Sequence, residues 1–351
     1  MSQQGKIKVL IVDDSAIVRK VLTDALSSES DIEVVGTAPD PFVARDKILS
    51  LQPDVLTLDI EMPRMDGVTF LKRLMHYHPM PVIVISSLGV ASSRIAVEAM
   101  EAGAIDVLAK PGGPQSVGEL RLSLASKIRA ARFARLQISA TKSRAARQPP
   151  SIPKSAEPFP SSAVIAVGAS TGGTEAICKV LAEFPGNCPG VVIVQHIPAV
   201  FSRSFANRLN ELCTIRVQEA KDGDHLQPGL ALVAPGNFHM LLRRTLSGYC
   251  VEVKDGPLVC FQRPAVDVLF HSVADAAGSN ATAAILTGMG SDGVQGMLAM
   301  KKAGARTIAQ DEMSSVVFGM PREAIRSGAV DRILPLPAIA DALLTESRRF
   351  R

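Results

Sequence analysis

Between residue 6 and about residue 124, short β-branched apolar runs alternate with stretches whose apolar residues recur every three or four positions. The runs cover residues 9–12, 32–35, 55–58, 82–85 and 105–108, and each is continuously apolar, as strands covered on both faces are. Five such units predict a doubly wound domain with a parallel sheet. From residue 115 to 136 a helical rhythm carries Val117, Leu120, Leu124, Ile128 and Phe133, predicting the domain's last helix and an extension of it. After Gln137 periodicity gives way to TKSRAARQPPSIPKSAEPFPSS, the composition of an extended tether. At Ala163 the alternation resumes with AVIAVGAS, a helix through Leu181, VVIVQHIP, and later AAILTGMGSDG and ARTIAQDE, which predicts a second doubly wound parallel α/β domain. The expected boundaries are 1–124, 125–160 and 161–351.

Composition narrows the classes. The chain has 351 residues, enough for two self-sufficient cores, and 47% hydrophobic content excludes a wholly disordered chain. With no Trp and two Tyr, an aromatic platform for nucleic-acid bases is a poor fit. The formal charge is +4, yet nine Lys and Arg and no acid fall between Arg121 and Lys154, so everything outside that stretch is net acidic. That distribution, and a C-terminal half without a helix-turn-helix pattern, speak against a DNA-binding output. The five cysteines lie only in the second half, are odd in number and lack CxxC spacing, which argues against a disulfide framework or zinc site and fits a reducing cytoplasm. The N-terminus runs straight into a strand pattern and no uncharged stretch has membrane-span length, so a cytoplasmic protein is expected.

Chemistry in a doubly wound domain gathers beyond the carboxyl ends of its strands. There the first domain carries Asp13 and Asp14, Asp59, Ser86 and Ser87, and Lys110. Any one of these reads as a helix cap. Together they place three carboxylates where a hard cation, Mg²⁺ above all, would relieve their repulsion, with Lys110 and the Ser87 hydroxyl suited to phosphoryl oxygens.

The strings VDDSAIVRKVL, LDIEMPRMDG, SS and AKP resemble the receiver domain of two-component response regulators over about 120 residues. The resemblance implies a flavodoxin-like fold, Asp59 as acceptor of a phosphoryl group from a histidine kinase, Mg²⁺ held by Asp13, Asp14 and Asp59, and Ser87 and Lys110 as phosphate readers. Serine replaces the more frequent threonine at position 87 and keeps the hydroxyl.

In the second domain, residues 168–172 fit G-x-S-x-G between an apolar strand and a helix, where small neighbours expose the Ser170 hydroxyl and helix-start amides can stabilise an oxyanion. The same turn also suits a phosphate-binding loop. A serine nucleophile needs an imidazole. His225 follows an apparent turn and His239 and His271 sit in less regular stretches, whereas His196 directly follows the strand VVIVQ. Asp292 and Asp311 both follow strand-like runs; spacing leaves both open, and the Gly-rich TGMGSDG loop favours Asp292.

The strings VGASTGGTEAI, VQHIPAVFSRSFANRL, APGNFHM, RPAVDVLF, LTGMGSDG and QDEMSSVVFGMPREAI resemble the chemotaxis receptor-modifying methylesterase family, in the same domain order. The resemblance implies a protein-glutamate methylesterase that also deamidates glutamine, with Ser170 as nucleophile, His196 as base, Asp292 as its orienting acid, and Thr171 and Met289 at the oxyanion site. It implies no cofactor for hydrolysis, methyl-accepting chemotaxis receptors as substrates met at the membrane surface, a chemotaxis histidine kinase as phosphodonor, no nucleic-acid partner, and a receiver that obstructs the esterase until Asp59 is phosphorylated.

Overall fold

The computed structural model describes residues 5–87, 89–110, 116–134 and 159–349, and the chain divides into two compact units, Met1–Ile138 and Ser139–Arg351. In the first unit, β1 (Ile7–Val12), β2 (Ile32–Ala38), β3 (Val55–Asp59), β4 (Val82–Ser86) and β5 (Asp106–Ala109) form a parallel sheet in the order β2-β1-β3-β4-β5. Every residue of β3 and β4 is buried, which is why these runs show no polar alternation. Helices α1 (Ala16–Ser27), α2 (Pro41–Leu51), α3 (Gly67–Tyr77), α4 (Val90–Glu101) and α5 (Ser116–Arg132) complete the unit.

The helix starts are local chemistry. Asp40 accepts from the Phe42 and Val43 amides and Asp66 from Thr69, each satisfying donors that the first turn leaves open, at about 1 kcal/mol per cap. For α1 the cap is Ser15, whose Oγ accepts from Val18, so Asp13 and Asp14 are left for other work. Because β1 pairs with both β2 and β3, the sheet's crevice opens beyond the carboxyl ends of β1 and β3.

Helix α5 crosses the boundary placed at residue 124. Leu124, Ala125, Ile128 and Ala131 are buried, Lys127 reaches Asp106 of β5 at 2.6 Å, and Arg129 bridges Glu29 and Asp31 at 2.6 Å each. The first compact unit thus takes in the helix beyond residue 124. Most of the Pro- and Ser-rich tether, residues 135–158, lies outside the described residues.

The second unit holds β6 (Val164–Ala169), β7 (Gly190–Gln195), β8 (Arg216–Glu219), β9 (His225–Leu226), β10 (Leu230–Val233), β11 (His239–Thr245), β12 (Gly248–Lys254), β13 (Ala281–Ile285), β14 (Arg306–Gln310) and β15 (Arg332–Leu334). Its helices are α6 (Gly173–Leu181), α7 (Ala199–Leu212), α8 (Val266–Ala277), α9 (Val294–Lys302), α10 (Met320–Arg326) and α11 (Leu336–Ser347). Seven strands make one parallel sheet, β15-β14-β13-β6-β7-β10-β8, in which β6 has β7 on one side and β13 on the other. Its switch point therefore lies at β6.

Helices α6, α7 and α11 pack together, and α8, α9 and α10 form a second group. Val164, Ala166, Val192, Ala283 and Ile285 of the sheet share a core with Val266, Phe270 and Val273 of α8. Burying a side chain of the size of Phe270 stabilises the fold by about 1.5–3 kcal/mol, so α8 is firmly seated on the sheet.

One element was not anticipated from the chain. Strands β11, β12 and β9 form a small antiparallel sheet, with β11 against α8. His225 and His239 thus lie in strands and His271 in a helix, where irregular or turn structure was expected. The half-buried pattern of β11, with Met240 and Leu242 inside and the adjacent Arg243 and Arg244 both outside, lacks the strict alternation that would stand out by periodicity. No disulfide joins the five cysteines, and no helix of the described residues is long and apolar enough to cross a membrane.

Candidate phosphorylation and active sites

The carboxyl ends of β1, β3 and β5 bring the predicted acids and lysine of the first unit together. Oxygens of Asp13, Asp14 and Asp59 lie within 4.8 Å of one another. Lys110 Nζ contacts Asp59 Oδ2 at 2.7 Å and Asp13 Oδ2 at 3.0 Å. Asp59 is fully buried, and burial pushes its carboxyl up to about 6 against the pull of Lys110; burial also raises Asp13. Lys110, though half-buried, is held above its ordinary value by Asp59 and Asp13. One ammonium thus contacts two of three clustered carboxylates, a donor set of hard oxygens that fits Mg²⁺.

Ser87 stands one residue beyond β4, and its hydroxyl donates to Glu61 Oε2 at 2.7 Å, not to Asp59. Ser92 in α4 donates to the other oxygen of Glu61, and these two hydroxyls hold the Glu61 carboxyl below the usual range. Glu61 itself follows Asp59 by two residues, with its amide on Asp59 Oδ1 at 3.1 Å. The sequence offered no signal for this clamp, because the two serines reach Glu61 from another strand end.

In the second unit, β6 delivers Ser170, β7 delivers His196, and the loop after β13 delivers Asp292. The three strands are adjacent, so the residues converge at the switch point. His196 Nε2 lies 2.7 Å from Asp292 Oδ2, with both side chains almost completely buried. Asp292 also accepts from the Val266 amide at 2.7 Å and the Asp267 amide at 2.9 Å. These are the opening amides of α8, so the carboxylate sits on the positive end of a helix seated on the sheet. With Asp292 ionised, Nε2 carries the imidazole proton, and Nδ1 is left as the lone pair. Nδ1 is buried without a hydrogen-bond partner among the described residues.

Backbone contacts bring the Ser170 turn against His196. The His196 amide donates to Ala169 O at 3.1 Å, and Gln195 Nε2 donates to the carbonyls of both Ser170 (2.8 Å) and His196 (3.2 Å). Ser170 Oγ makes no hydrogen bond to His196 among the described residues, a separation common in unliganded serine hydrolases. Gly172 takes φ +77°, and a Cβ there would meet Val316 Cβ at 2.6 Å; the turn that exposes Ser170 needs glycine on both counts.

The remaining predicted residues fall around this turn. Thr171 is buried and its carbonyl accepts from Thr287 Oγ1 at 3.0 Å; Met289 is part-exposed in the turn after β13. That turn abuts the serine, since a Cβ on Gly288 would lie 2.7 Å from Ser170 Cβ. Asp311, the alternative acid, caps a turn instead, accepting from Ser314 N at 2.9 Å and Ser314 Oγ at 2.6 Å. Residues missed in the sequence are Gln195, Thr287 and Gln310, whose buried side chains tie the loop carbonyls and amides together.

The second unit thus carries a buried His–Asp pair beside a serine on a strand-to-helix turn, and it follows a five-stranded unit with a clustered-acid site. Residues 165–343 match the model of the CheB methylesterase family, and residues 9–120 that of the response regulator receiver domain. The protein-glutamate methylesterase/protein-glutamine glutaminase 2 of Syntrophus aciditrophicus (strain SB) is 57% identical over 343 residues, covering 97% of this chain and 99% of that one. The protein-glutamate methylesterase/protein-glutamine glutaminase of Salmonella typhimurium is 52% identical over 344 residues, 97% of each chain. Among solved structures, the Thermotoga maritima CheB methylesterase catalytic domain aligns with a TM-score of 0.52 at 36% identity, covering 53% of this chain and 99% of that domain. The chain belongs to the CheB methylesterase family and carries a response-regulator receiver domain before the catalytic domain.

Proposed function

We propose that this protein hydrolyses glutamate γ-methyl esters, and glutamine γ-amides, on chemotaxis receptors under control of Asp59 phosphorylation. The observation that carries the hydrolytic part is the His196 ring, anchored through Nε2 on Asp292 with Nδ1 buried and unpaired beside the Ser170 turn.

Ser170 Oγ attacks the γ-carbonyl while His196 Nδ1 accepts its proton. Asp292, fixed by two α8 amides, orients the ring and stabilises the imidazolium. Amides of Thr171 and Met289 stabilise the oxyanion. Collapse of the tetrahedral species breaks the ester C–O bond, and methanol leaves with the proton from His196. Water, deprotonated by His196, then attacks the acyl-enzyme, releases the glutamate carboxylic acid and returns the proton to Ser170. With a glutamine side chain the same sequence expels ammonia.

The phosphodonor is a histidine kinase, and Asp59 accepts the phosphoryl group. Asp13, Asp14 and Asp59 would hold Mg²⁺, which would supply positive charge for the phosphoryl oxygens. Lys110 supplies an ammonium already at Asp59, and Ser87 reads the phosphate after leaving Glu61. A fluorophosphonate probe tests the nucleophile directly: the expected adduct maps to the peptide containing Ser170 and is absent in Ser170→Ala, whereas a label on any other serine contradicts the assignment.

A further inference from the structure

The first turns of α8 and α9 are capped across each other. Ala265 before α8 and Gly293 before α9 supply no side-chain acceptor to the helices they introduce. Asp292, one residue before Gly293, instead accepts from the opening amides of α8, and Asp267, the second residue of α8, accepts from Gly296 of α9 at 2.7 Å. An aspartate in a first turn ordinarily serves its own helix; this one serves its neighbour. The exchange needs a close approach that glycine permits, since a Cβ on Gly296 would lie 2.5 Å from Phe270 Cβ and 2.9 Å from Asp267 O.

Two buried carboxylates are left side by side. An oxygen of Asp267, an oxygen of Asp292 and Cys260 Sγ all lie within 4.8 Å of one another, and the Asp267 amide donates to Asp292 Oδ1 at 2.9 Å. Burial raises the Asp267 carboxyl above its ordinary value; the Gly296 amide pulls it down, Asp292 pushes it up, and His271, one turn further along α8, pulls it down. Cys260, from the loop before α8, has its Sγ 3.9 Å from Asp267 Oδ2, and burial and both carboxylates raise its thiol, so it stays uncharged at neutral pH. Among the described residues no Lys or Arg pairs with either carboxylate, and Asp292 has His196 as its partner. The cation that forms beside them during the reaction is the His196 imidazolium.

We propose that Asp267 is a positioning residue of the hydrolytic site: it locks the start of α9 against α8, which fixes Asp292 between the two helices, and its negative charge favours the imidazolium form of His196. The inference rests on the hydrolytic assignment above and adds a second carboxylate to it. No hydrogen bond joins Asp267 to Ser170 or His196 among the described residues, so it acts through Asp292 and through its field, which carries further in a buried site than in water. Neutralising it makes the imidazolium harder to form. The acid limb of the rate profile, below which His196 is already protonated, then moves to lower pH, and the plateau falls because the base is weaker.

The test is the pH dependence of ester hydrolysis by the full-length protein on a methylated receptor fragment, from about pH 5 to about pH 9. Asp267→Asn keeps an acceptor for the Gly296 amide, and Asp267→Ser is a smaller neutral side chain that also offers one; thermal melting checks that each folds. In both, the acid limb of kcat/KM is expected to move down by about one pH unit, with plateau kcat lower by up to about tenfold and KM unchanged. Cys260→Ser keeps both carboxylates and is expected to leave the limb in place. Every variant carries the same receiver, so the receiver's own titration is common to all the profiles. A limb that does not move in Asp267→Asn and Asp267→Ser overturns the proposal, because a purely structural brace lowers the rate alike at every pH. An equal displacement in Cys260→Ser overturns it too, by tracing the effect to loop packing and not to charge. No fluorophosphonate label on Ser170 of the parent protein is a different failure: it refutes the hydrolytic assignment itself.

Discussion

Asp292 accepts from the Val266 and Asp267 amides, which can only donate, and pairs with His196 Nε2. An asparagine there offers one acceptor atom and turns an NH₂ toward a donor, so Asp292→Asn both misorients the ring and removes the charge that stabilises the imidazolium. The expected loss in kcat is about 10³–10⁴-fold with the fold retained, measured by methanol release and circular dichroism. Asp59 makes the opposite kind of prediction. Its folded-state value of about 6 lies above the ordinary 3.8, so its contribution to stability is complete below about 3.8 and is lost as pH rises through about 6. At pH 7.5 the buried charge weakens the receiver, and Asp59→Asn should stabilise it by roughly 2–3 kcal/mol. Hydrogen exchange of the β1 and β3 amides in the full-length protein reads this directly. The gap should close toward pH 4.5, and millimolar Mg²⁺ should narrow it at neutral pH by stabilising the wild-type carboxylates.

At the scale of elements, both sheets were legible because each buried strand is an unbroken apolar run, and Asp13, Asp59, Ser170 and His196 could be found because they end such runs. The small antiparallel sheet was not, since β9 is two residues within a polar turn-like stretch. Nor were Glu61 and Gln195, because a side chain that clamps loops from two strand ends leaves no periodic mark in either. The choice between Asp292 and Asp311 was open for a similar reason: it is decided by the N-terminus of α8, whose sequence lies 25 or more residues upstream of both candidates. The loop after β13 can be tested as an element. A methyl group at Gly288 would lie 2.4 Å from Met320 Sδ and 2.7 Å from Ser170 Cβ, so Gly288→Ala must displace the nucleophile turn or α10. The expected cost is about 1–3 kcal/mol in stability, with a disproportionate fall in kcat, measured by thermal melting and ester turnover. A drop in stability with undiminished turnover per folded molecule would show that the turn does not position Ser170.

In the function proposed above, the two compact units divide the work between a site that stores a charge change and a site that breaks a bond. The receiver site holds three clustered carboxylates, two of them on one ammonium, and the second site a ring with one nitrogen anchored and one open. Neither arrangement contains the other's chemistry; in the function proposed above, phosphorylation of Asp59 biases the equilibrium that links them. The most direct measurement is methanol release from a methylated receptor fragment with and without a small-molecule phosphodonor and Mg²⁺, comparing the wild-type protein, Asp59→Asn and Ser170→Ala. Donor-stimulated release in the wild type, only basal release in Asp59→Asn and none in Ser170→Ala is the predicted result. Release by Ser170→Ala, or donor stimulation that survives Asp59→Asn, would contradict it.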